Sequence, residues 1–262
     1  MTDKPLLSII VASYNNEHYI RDCFDSILEQ SYPNLEIIVV DDCSTDNSAA
    51  IINEYVAGHP GVVKGFFNSS NRGVAFTRHR AMQEAGGDYI TTLDSDDYYY
   101  SKQKLEKEMA LALEQKQTAE KEVIAFSNIA LVKPDKTLIQ FWDQISPIKE
   151  GHIFEEIIGR SCMIPRDFVM NKELYFAVGG YDCSLPIFED WDLKIRLSHH
   201  YEFKYTGIPG TAYRRHGTGL SSRPQEEIIL WLNTVFEKNI PLAEQTKGEI
   251  TQVFEEFLAK FD

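Results

Sequence analysis

Four apolar runs alternate with amphipathic segments in the first 100 residues, and this alternation restricts the possible fold more than any other feature. The runs occupy residues 6–12 and 35–40, with a weaker run at 62–67 and a mostly apolar one at 87–93. Continuous apolar runs are typical of strands that are buried on both faces of a sheet. The segments between them place apolar residues three and four positions apart, as in a helix that buries one face. The order βαβαβαβ therefore predicts an α/β fold with a mostly parallel central sheet flanked by helices.

The chain becomes less regular after residue 97. The patterns predict a charged helix, a β-hairpin, a short helix, a short strand, a further helix and a last short strand, at residues 101–121, 123–142, 152–161, 167–171, 189–198 and 202–206. Two helices, at residues 225–238 and 241–260, finish the chain. The first contains the apolar run Ile228–Phe236, which fits packing on the core, dimerisation or contact with a membrane. Few basic residues surround this run, so packing on the core is the default interpretation.

Composition and charge exclude several classes of protein. Acidic residues outnumber basic ones by 40 to 26, and the net charge of −14 argues against a nucleic-acid-binding protein. An anionic substrate would need local arginines or a metal ion to offset this charge. The four cysteines form no CxxC pair, no apolar run reaches the roughly 18 residues of a membrane span, and the N-terminus lacks signal-peptide features. We expect a cytoplasmic protein, at most peripheral on the inner face of the membrane.

Three carboxylates follow the fourth predicted strand within four residues: Asp94, Asp96 and Asp97. Alternate residues of an extended chain point the same way, so Asp94 and Asp96 can meet at one point. Carboxylates this close repel one another unless a cation offsets them, and oxygen ligands suit Mg²⁺ or Mn²⁺. A solvated acidic loop that caps the next helix would show the same residues.

Polar residues also follow the first and second predicted strands. Ser13, Tyr14 and Asn15 come after the first, and Asp41 and Asp42 come after the second. The carboxyl ends of parallel strands lie at one edge of a sheet, where open α/β sheets bind ligands. The sequence contains no GxxxxGK[ST] motif and no GxGxxG after the first strand, which disfavours a P-loop NTPase and a dinucleotide-dependent dehydrogenase.

Five motifs occur in a characteristic order: SIIVASYNN, EIIVVDDCSTDNS, NRGVAFTRHRA, GDYITTLDSDD and GGYDCSLPIFEDWDLKIRL. With them, the chain resembles the family-2 glycosyltransferases from about residue 6 to residue 220. The resemblance implies an inverting enzyme with the Rossmann-like GT-A fold of the nucleotide-diphospho-sugar transferases. We accordingly predict a GT-A domain at 1–222, with a nucleotide-binding half at 1–100 and an acceptor-binding half at 101–222. A C-terminal helical extension follows at 223–262.

The resemblance also implies how the nucleotide is held. Asp42 would accept a hydrogen bond from an N–H of the base, as uracil requires, and Tyr14 would lie against the ring. Ala12 and Ser13 would contact the nucleotide through backbone atoms. Asp41 also fits a purely structural role at the start of the next helix.

Positive charge for the donor phosphates is expected from two places. Arg78 would offset phosphate charge, while His79, which takes the place of the asparagine usual in the family, has no assigned role. The basic, glycine-interrupted segment Arg214–Ser222 resembles a loop that closes over the donor phosphates in related enzymes, and His216 lies in it.

Asp94-Ser95-Asp96 matches the DXD motif of the family. The resemblance implies that Asp94 and Ser95 contact the donor, and that Asp94, Asp96 and His216 form the site for Mn²⁺ or Mg²⁺. Asp96 is the first choice for direct contact with the metal, and Asp94 would reach the ribose or a coordinated water. Asp97 either assists or starts the next helix.

Glu189-Asp190 matches the ED motif of the family. An inverting transfer needs a base that takes the proton of the acceptor hydroxyl, and Asp190 is the candidate. A position at a helix N-terminus favours its charged form. Glu189 would orient the donor sugar or the acceptor, whereas Asp192 fits an ordinary first-turn acid. Asp182 either shapes the GGYD turn or contacts the sugar.

We therefore predict a metal-dependent inverting glycosyltransferase that uses a nucleotide-sugar donor, in particular a UDP-sugar. The acceptor would be a hydroxyl of a cell-surface glycan or of its lipid-linked precursor, which would allow peripheral contact with a membrane. Two alternatives remain at this stage: a nucleotidyltransferase on a similar fold, and a non-catalytic protein that binds sugar nucleotides. The sequence does not predict the oligomeric state.

Overall fold

The structure, a computed structural model, describes residues 4–216 and 223–261. The strands are β1 (Leu7–Ser13), β2 (Leu35–Asp41), β3 (Val63–Phe67), β4 (Tyr89–Thr92), β5 (Tyr98–Tyr99), β6 (Val123–Val132), β7 (Leu138–Phe141), β8 (Met170–Asn171) and β9 (Glu202–Arg214). The helices are α1 (Ile20–Leu28), α2 (Ser48–Gly58), α3 (Val74–Glu84), α4 (Lys104–Ala119), α5 (Phe154–Ile158), α6 (Lys172–Ala177), α7 (Glu189–His200), α8 (Gln225–Asn239) and α9 (Lys247–Leu258). Short 3₁₀ segments lie at Trp142–Gln144, Ile240–Thr246 and Ala259–Phe261.

The central sheet has the strand order β3-β2-β1-β4-β8. The first four of these strands run parallel, and β8 pairs antiparallel with β4. Successive residues of β1 face two different core clusters, with Ile10 in one and Ile9 in the other, and both side chains are fully buried. This two-sided burial is why the strands read as continuous apolar runs, and it confirms the predicted parallel sheet.

A second sheet has the order β5-β9-β6-β7 and contains a strand much longer than the sequence predicted. The prediction ended the last strand at residue 206, but β9 continues to Arg214. Its middle, Thr206–Gly210, contains two glycines and a proline and therefore reads as a loop. The pairing continues because the register with β6 shifts between Phe126 and Asn128. The predicted hairpin formed by β6 and β7 is confirmed.

The C-terminal elements pack on the core close to α7. Phe236 of α8 and Phe254 of α9 stack with ring centroids 4.0 Å apart, and Trp191 of α7 stacks on Phe254 at 5.9 Å. Packing on the core, the default interpretation of the apolar run in α8, is therefore confirmed for Leu232, Val235 and Phe236. None of the described helices is long and apolar enough to cross a membrane.

The predicted final helix is interrupted. Residues Ile240–Thr246 form a 3₁₀ segment in which Glu244 has φ 39° and ψ −94°, and α9 starts only at Lys247. The division of the chain at residues 100 and 222 stays a prediction. The second half contributes β8 to the central sheet, and β5, at residues 98–99, pairs with β9.

A charged cluster is buried between α4 and the second sheet. The Lys104 ammonium donates to Glu108 at 2.7 Å and to the Asp167 backbone carbonyl at 2.6 Å. Ser127 donates to the other Glu108 oxygen at 2.7 Å. Burial raises the pKa of Glu108 to about 7, and the nearby Lys104 charge only partly opposes this.

Stability should therefore fall as the pH rises from about 4.5 to about 7, since Glu108 keeps its proton in the folded chain and loses it in the unfolded chain. Over that pH range the free energy of unfolding of the wild type should fall by roughly 3 kcal/mol more than that of the Glu108→Gln variant, which lacks the titrating group. Urea unfolding at several pH values measures this, with Glu114→Gln, at an exposed position of α4, as the control. Identical pH profiles for the wild type and Glu108→Gln would contradict the assignment.

Candidate active site

The carboxyl ends of β1, β2 and β4 bring the predicted donor-binding residues to one edge of the central sheet. Ser13, at the end of β1, is 2% exposed, and its hydroxyl has no hydrogen-bond partner among the described residues. Asn16 donates to the Ser95 hydroxyl at 2.7 Å and so ties the turn after β1 to the turn after β4. Tyr14 is 46% exposed at the same edge. The contact of Ser13 and Tyr14 with a nucleotide stays a prediction.

The two carboxylates after β2 have different surroundings. Asp41 accepts hydrogen bonds from the Ser44 backbone N–H at 2.8 Å and from the Ser44 hydroxyl at 2.5 Å, so it holds the following turn. Asp42 accepts from the Asn68 amide at 2.7 Å and from the backbone N–H groups of Arg72 and Gly73, both at 2.8 Å. These contacts fix the Asp42 carboxylate below the start of α3. Its contact with a base stays a prediction.

The three carboxylates after β4 form a cluster. Ligand oxygens of Asp94, Asp96 and Asp97 all lie within 4.8 Å of one another. Burial, and next the charges of Asp96 and Asp94, raise the pKa of Asp97 well above its usual value. A helix-capping role is wrong, because α4 starts later, at Lys104, and has no side-chain cap.

Two arginines already lie against this cluster. Arg78, only 4% exposed, bridges two carboxylates, Asp94 after β4 and Glu189 on α7. The Arg166 guanidinium lies 2.8 Å from Asp94 and 3.2 Å from Asp97, and it stacks on the Tyr213 ring at 4.7 Å. No sequence pattern predicted Arg166, because it lies outside every motif and reaches the cluster only through the fold.

The basic segment near residue 214 is only partly a loop. Arg214 ends β9 and is 5% exposed, and its backbone N–H donates to Asp97 at 2.7 Å. Its side chain donates to the Asp96 carbonyl at 2.9 Å, so it clamps the turn that carries the carboxylates. His216 Nε2 lies 2.9 Å from Asp96 Oδ2, and this hydrogen bond raises the pKa of His216. Residues 217–222 of the predicted loop lie outside the described residues.

The ED motif begins α7. Asp190 Oδ2 accepts from the Lys194 ammonium at 2.9 Å, and Lys194 also donates to the Ile164 carbonyl at 3.0 Å. Burial alone would raise the pKa of Asp190, but the charges of Lys194, Arg166 and Arg78 together hold it well below its usual value. Burial raises the pKa of the neighbouring Glu189, although the positive charge of Arg78 acts to lower it. Asp190 is therefore ionised at neutral pH, as a base must be.

Three other residues of the motifs contact neighbouring side chains. Asp192 is fully buried and pairs with Arg196 of α7 at 2.5 Å and Lys238 of α8 at 2.8 Å, so it is more than a surface acid. Asp182 pairs with Lys238 at 2.7 Å. His79, which had no assigned role, lies 2.6 Å from the Tyr175 hydroxyl.

The structure thus unites the donor side and the base side of the predicted site. Arg78 connects Asp94 directly to Glu189, the residue before Asp190, and Arg166 affects both the cluster and Asp190. Donor-side residues from the first half of the chain and the pair on α7 form one continuous electrostatic unit.

Residues 8–128, which include this cluster, match the sequence model of the family described as Glycosyl transferase family 2. The match covers slightly less than half of the chain. The match ends before α7, so the assignment of Glu189 and Asp190 depends on the motif and the geometry described above.

Two curated relatives are similar to part of the chain. Over 111 residues the chain is 41% identical to a Bacillus subtilis protein with the provisional name teichuronic acid biosynthesis glycosyltransferase TuaG, covering 42% of this chain and 43% of TuaG. Over 110 residues it is 46% identical to an uncharacterized glycosyltransferase of Haemophilus influenzae, again covering 42% of this chain and 43% of the relative. The chain thus spans less than half of the length of these relatives.

A solved structure supports the fold over nearly the whole chain. TarS residues 1–349 of S. aureus, in complex with UDP-GlcNAc, superimpose with a TM-score of 0.73 at 21% identity, covering 96% of this chain and 71% of TarS 1–349. This likeness confirms the predicted GT-A fold.

Proposed function

We propose that this chain transfers a sugar from a UDP-sugar to a hydroxyl group of a cell-surface glycan or of its lipid-linked precursor. The observation that carries the proposal is the bridge from Asp94 through Arg78 to Glu189, which connects the donor-side carboxylates to the base Asp190. The name of TuaG supports a glycan acceptor, and the complex of TarS with UDP-GlcNAc supports a UDP-sugar donor.

The proposed chemistry at Asp190 is a single displacement. The Asp190 carboxylate takes the proton of the acceptor hydroxyl as that oxygen forms a bond to the anomeric carbon, and the bond to the nucleoside diphosphate breaks on the opposite side. The configuration at the anomeric carbon inverts. Lys194 fixes the carboxylate and keeps it ionised. Glu189, held by Arg78, would accept a hydrogen bond from a sugar hydroxyl.

The residues of the carboxylate cluster fit a divalent cation. Asp96 and His216 point at one another, and Asp94 and Asp97 add oxygens within 4.8 Å. Oxygen ligands with one imidazole suit Mn²⁺, and Mg²⁺ accepts the oxygens. Such an ion would stabilise the charge of the leaving nucleoside diphosphate as a Lewis acid. Arg78 and Arg166 would share the same diphosphate charge.

The nucleoside would lie across the ends of β1 and β2. The Ser13 hydroxyl has no partner among the described residues, the exposed Tyr14 ring can stack, and Asp42 retains acceptor capacity towards a base N–H. Ala12 and Ser95 border the same space at the ends of β1 and β4. A lipid-linked acceptor would bring the protein to the membrane surface without a spanning helix.

Thermal shifts with UDP test the proposal through Asp96. In the wild type, Mn²⁺ should strengthen UDP binding at least tenfold, whereas in Asp96→Ala Mn²⁺ should have almost no effect, since the ion loses its main ligand. Asp88→Ala, at the exposed residue before β4, is the control and should behave as the wild type. Equal UDP affinity with and without Mn²⁺ in the wild type would contradict the metal site. Release of pyrophosphate from a nucleoside triphosphate and a sugar phosphate would favour a nucleotidyltransferase instead.

A further inference from the structure

One arginine beside the base has an unusual environment. The guanidinium carbon of Arg160 lies 4.8 Å from the ring centroid of Trp191, 5.0 Å from that of Phe257 and 5.5 Å from that of Phe188. These four residues form what is called here the arginine cage. Phe188 directly precedes α7, Trp191 lies in the first turn of α7, and Phe257 belongs to α9.

Arg160 has no acidic partner within salt-bridge distance, and its side chain makes no hydrogen bond, among residues 4–216 and 223–261. Four arginines in or next to the active site do lie within salt-bridge distance of a carboxylate, namely Arg78, Arg166, Arg196 and Arg214. Arg160 nitrogens are absent from the buried polar atoms that lack a partner, so they keep contact with solvent. The faces of the guanidinium are covered by rings while its N–H edge stays available.

The cage lies next to the base. Phe188 and Trp191 flank Glu189 and Asp190 in the chain, and both rings contact Arg160. Burial lowers the pKa of Arg160 to about 10, and the charge of the Asp190 carboxylate opposes this. A left-handed backbone, with φ 54°, turns the chain after α5 and directs Arg160 to this place.

We propose that Arg160 binds an oxyanion group, a phosphate or a carboxylate, of the acceptor molecule whose hydroxyl reacts at Asp190. The inference rests on the proposed function, because it assumes that the acceptor lies at Asp190. A guanidinium whose faces are covered and whose edge is free binds two oxygens of one phosphate or carboxylate in parallel. In a chain with net charge −14, an anionic acceptor needs such a local cation. The cage therefore selects acceptors that carry negative charge near the reacting hydroxyl.

The competing explanation is that the cage only fastens α9 to α7. Cation–π contacts of this kind stabilise a fold without binding a ligand. The two explanations differ in what Arg160 substitutions change. If the cage only fastens the helices, substituting Arg160 lowers the melting temperature and leaves anion binding unchanged. If Arg160 binds the acceptor, substituting it weakens anion binding.

Calorimetric titration of the protein saturated with UDP and Mn²⁺ tests the proposal. The probes are inorganic phosphate and glucuronate, with glucose as the neutral control. One of the two anions should bind the wild type, Arg160→Gln should bind it at least tenfold more weakly, and Arg160→Lys should lie between them because it keeps only a point charge. Arg21→Gln, which removes an exposed arginine over the Tyr55 ring, should match the wild type.

The two anions distinguish a phosphate-bearing acceptor from a carboxylate-bearing one. Equal anion affinity in the wild type and in both Arg160 variants, or no binding of either anion, would overturn the proposal. If Arg160→Gln fails to fold, the comparison of Arg160→Lys with the wild type decides. If UDP does not bind the wild type, the proposed function fails, but titrations without UDP still show whether anion binding depends on Arg160.

Discussion

Asp190→Asn is expected to lower sugar transfer by about 10³-fold while UDP affinity stays within about twofold of the wild type. The amide keeps the shape of the side chain and its contact with Lys194 through the oxygen, but it cannot take the proton of the acceptor hydroxyl. The loss should appear in kcat, because the proton is transferred only as the new bond forms.

Measuring this effect requires a transfer assay and a binding assay on the same preparation. Asp88→Asn is the matched control, since the same chemical change at an exposed residue before β4 should leave both assays unchanged. Transfer by Asp190→Asn within about tenfold of the wild type would remove Asp190 from the role of base. NMR of the product offers a second check, since retention of the anomeric configuration would require a different mechanism.

The first half of the fold was predictable because each strand there is buried on both faces and each helix has one apolar face. These patterns are local, so the apolar run that contains Ile9 and Ile10 predicts burial on both faces of β1. In the structure the two side chains do belong to different core clusters. The carboxylates after the strands were predictable for the same reason, since parallel strands bring their ends together. The long strand β9 was not, because its glycines and Pro209 are tolerated only through the register shift against β6.

The positive charges of the site were less predictable than the negative ones. Arg166 pairs with Asp94 although it lies 72 positions farther along the chain (166 − 94), and no local sequence pattern predicts a contact at that separation. Arg214 looked like part of a mobile loop, whereas it ends a strand and is buried against Asp97. An arginine becomes a site residue through the acids that the fold brings to it, and single-sequence patterns do not contain that information.

Arg78→Met is expected to lower the free energy of unfolding by about 3–5 kcal/mol, the largest stability loss predicted here. Arg78 and Glu189 have side chains only 4% and 5% exposed, so without the guanidinium Glu189 would be a buried carboxylate without a counter-charge. Asp94 would keep Arg166 as a partner. Although burial alone would lower the pKa of Arg78, Asp94 and Glu189 raise it, so the charged form of the arginine is strongly favoured in the folded chain.

Urea unfolding of four proteins separates this electrostatic loss from a simple loss of packing. In the double variant Arg78→Met with Glu189→Gln, the buried carboxylate is gone too, and we expect about 1–3 kcal/mol of the loss to be recovered. Arg21→Met, which removes an exposed arginine paired with Glu54, should cost less than about 1 kcal/mol. If adding Glu189→Gln recovers none of the lost free energy of unfolding, Arg78 stabilises the fold through packing. The contact between the donor side and the base side would then depend on the shape of the side chain and not on its charge.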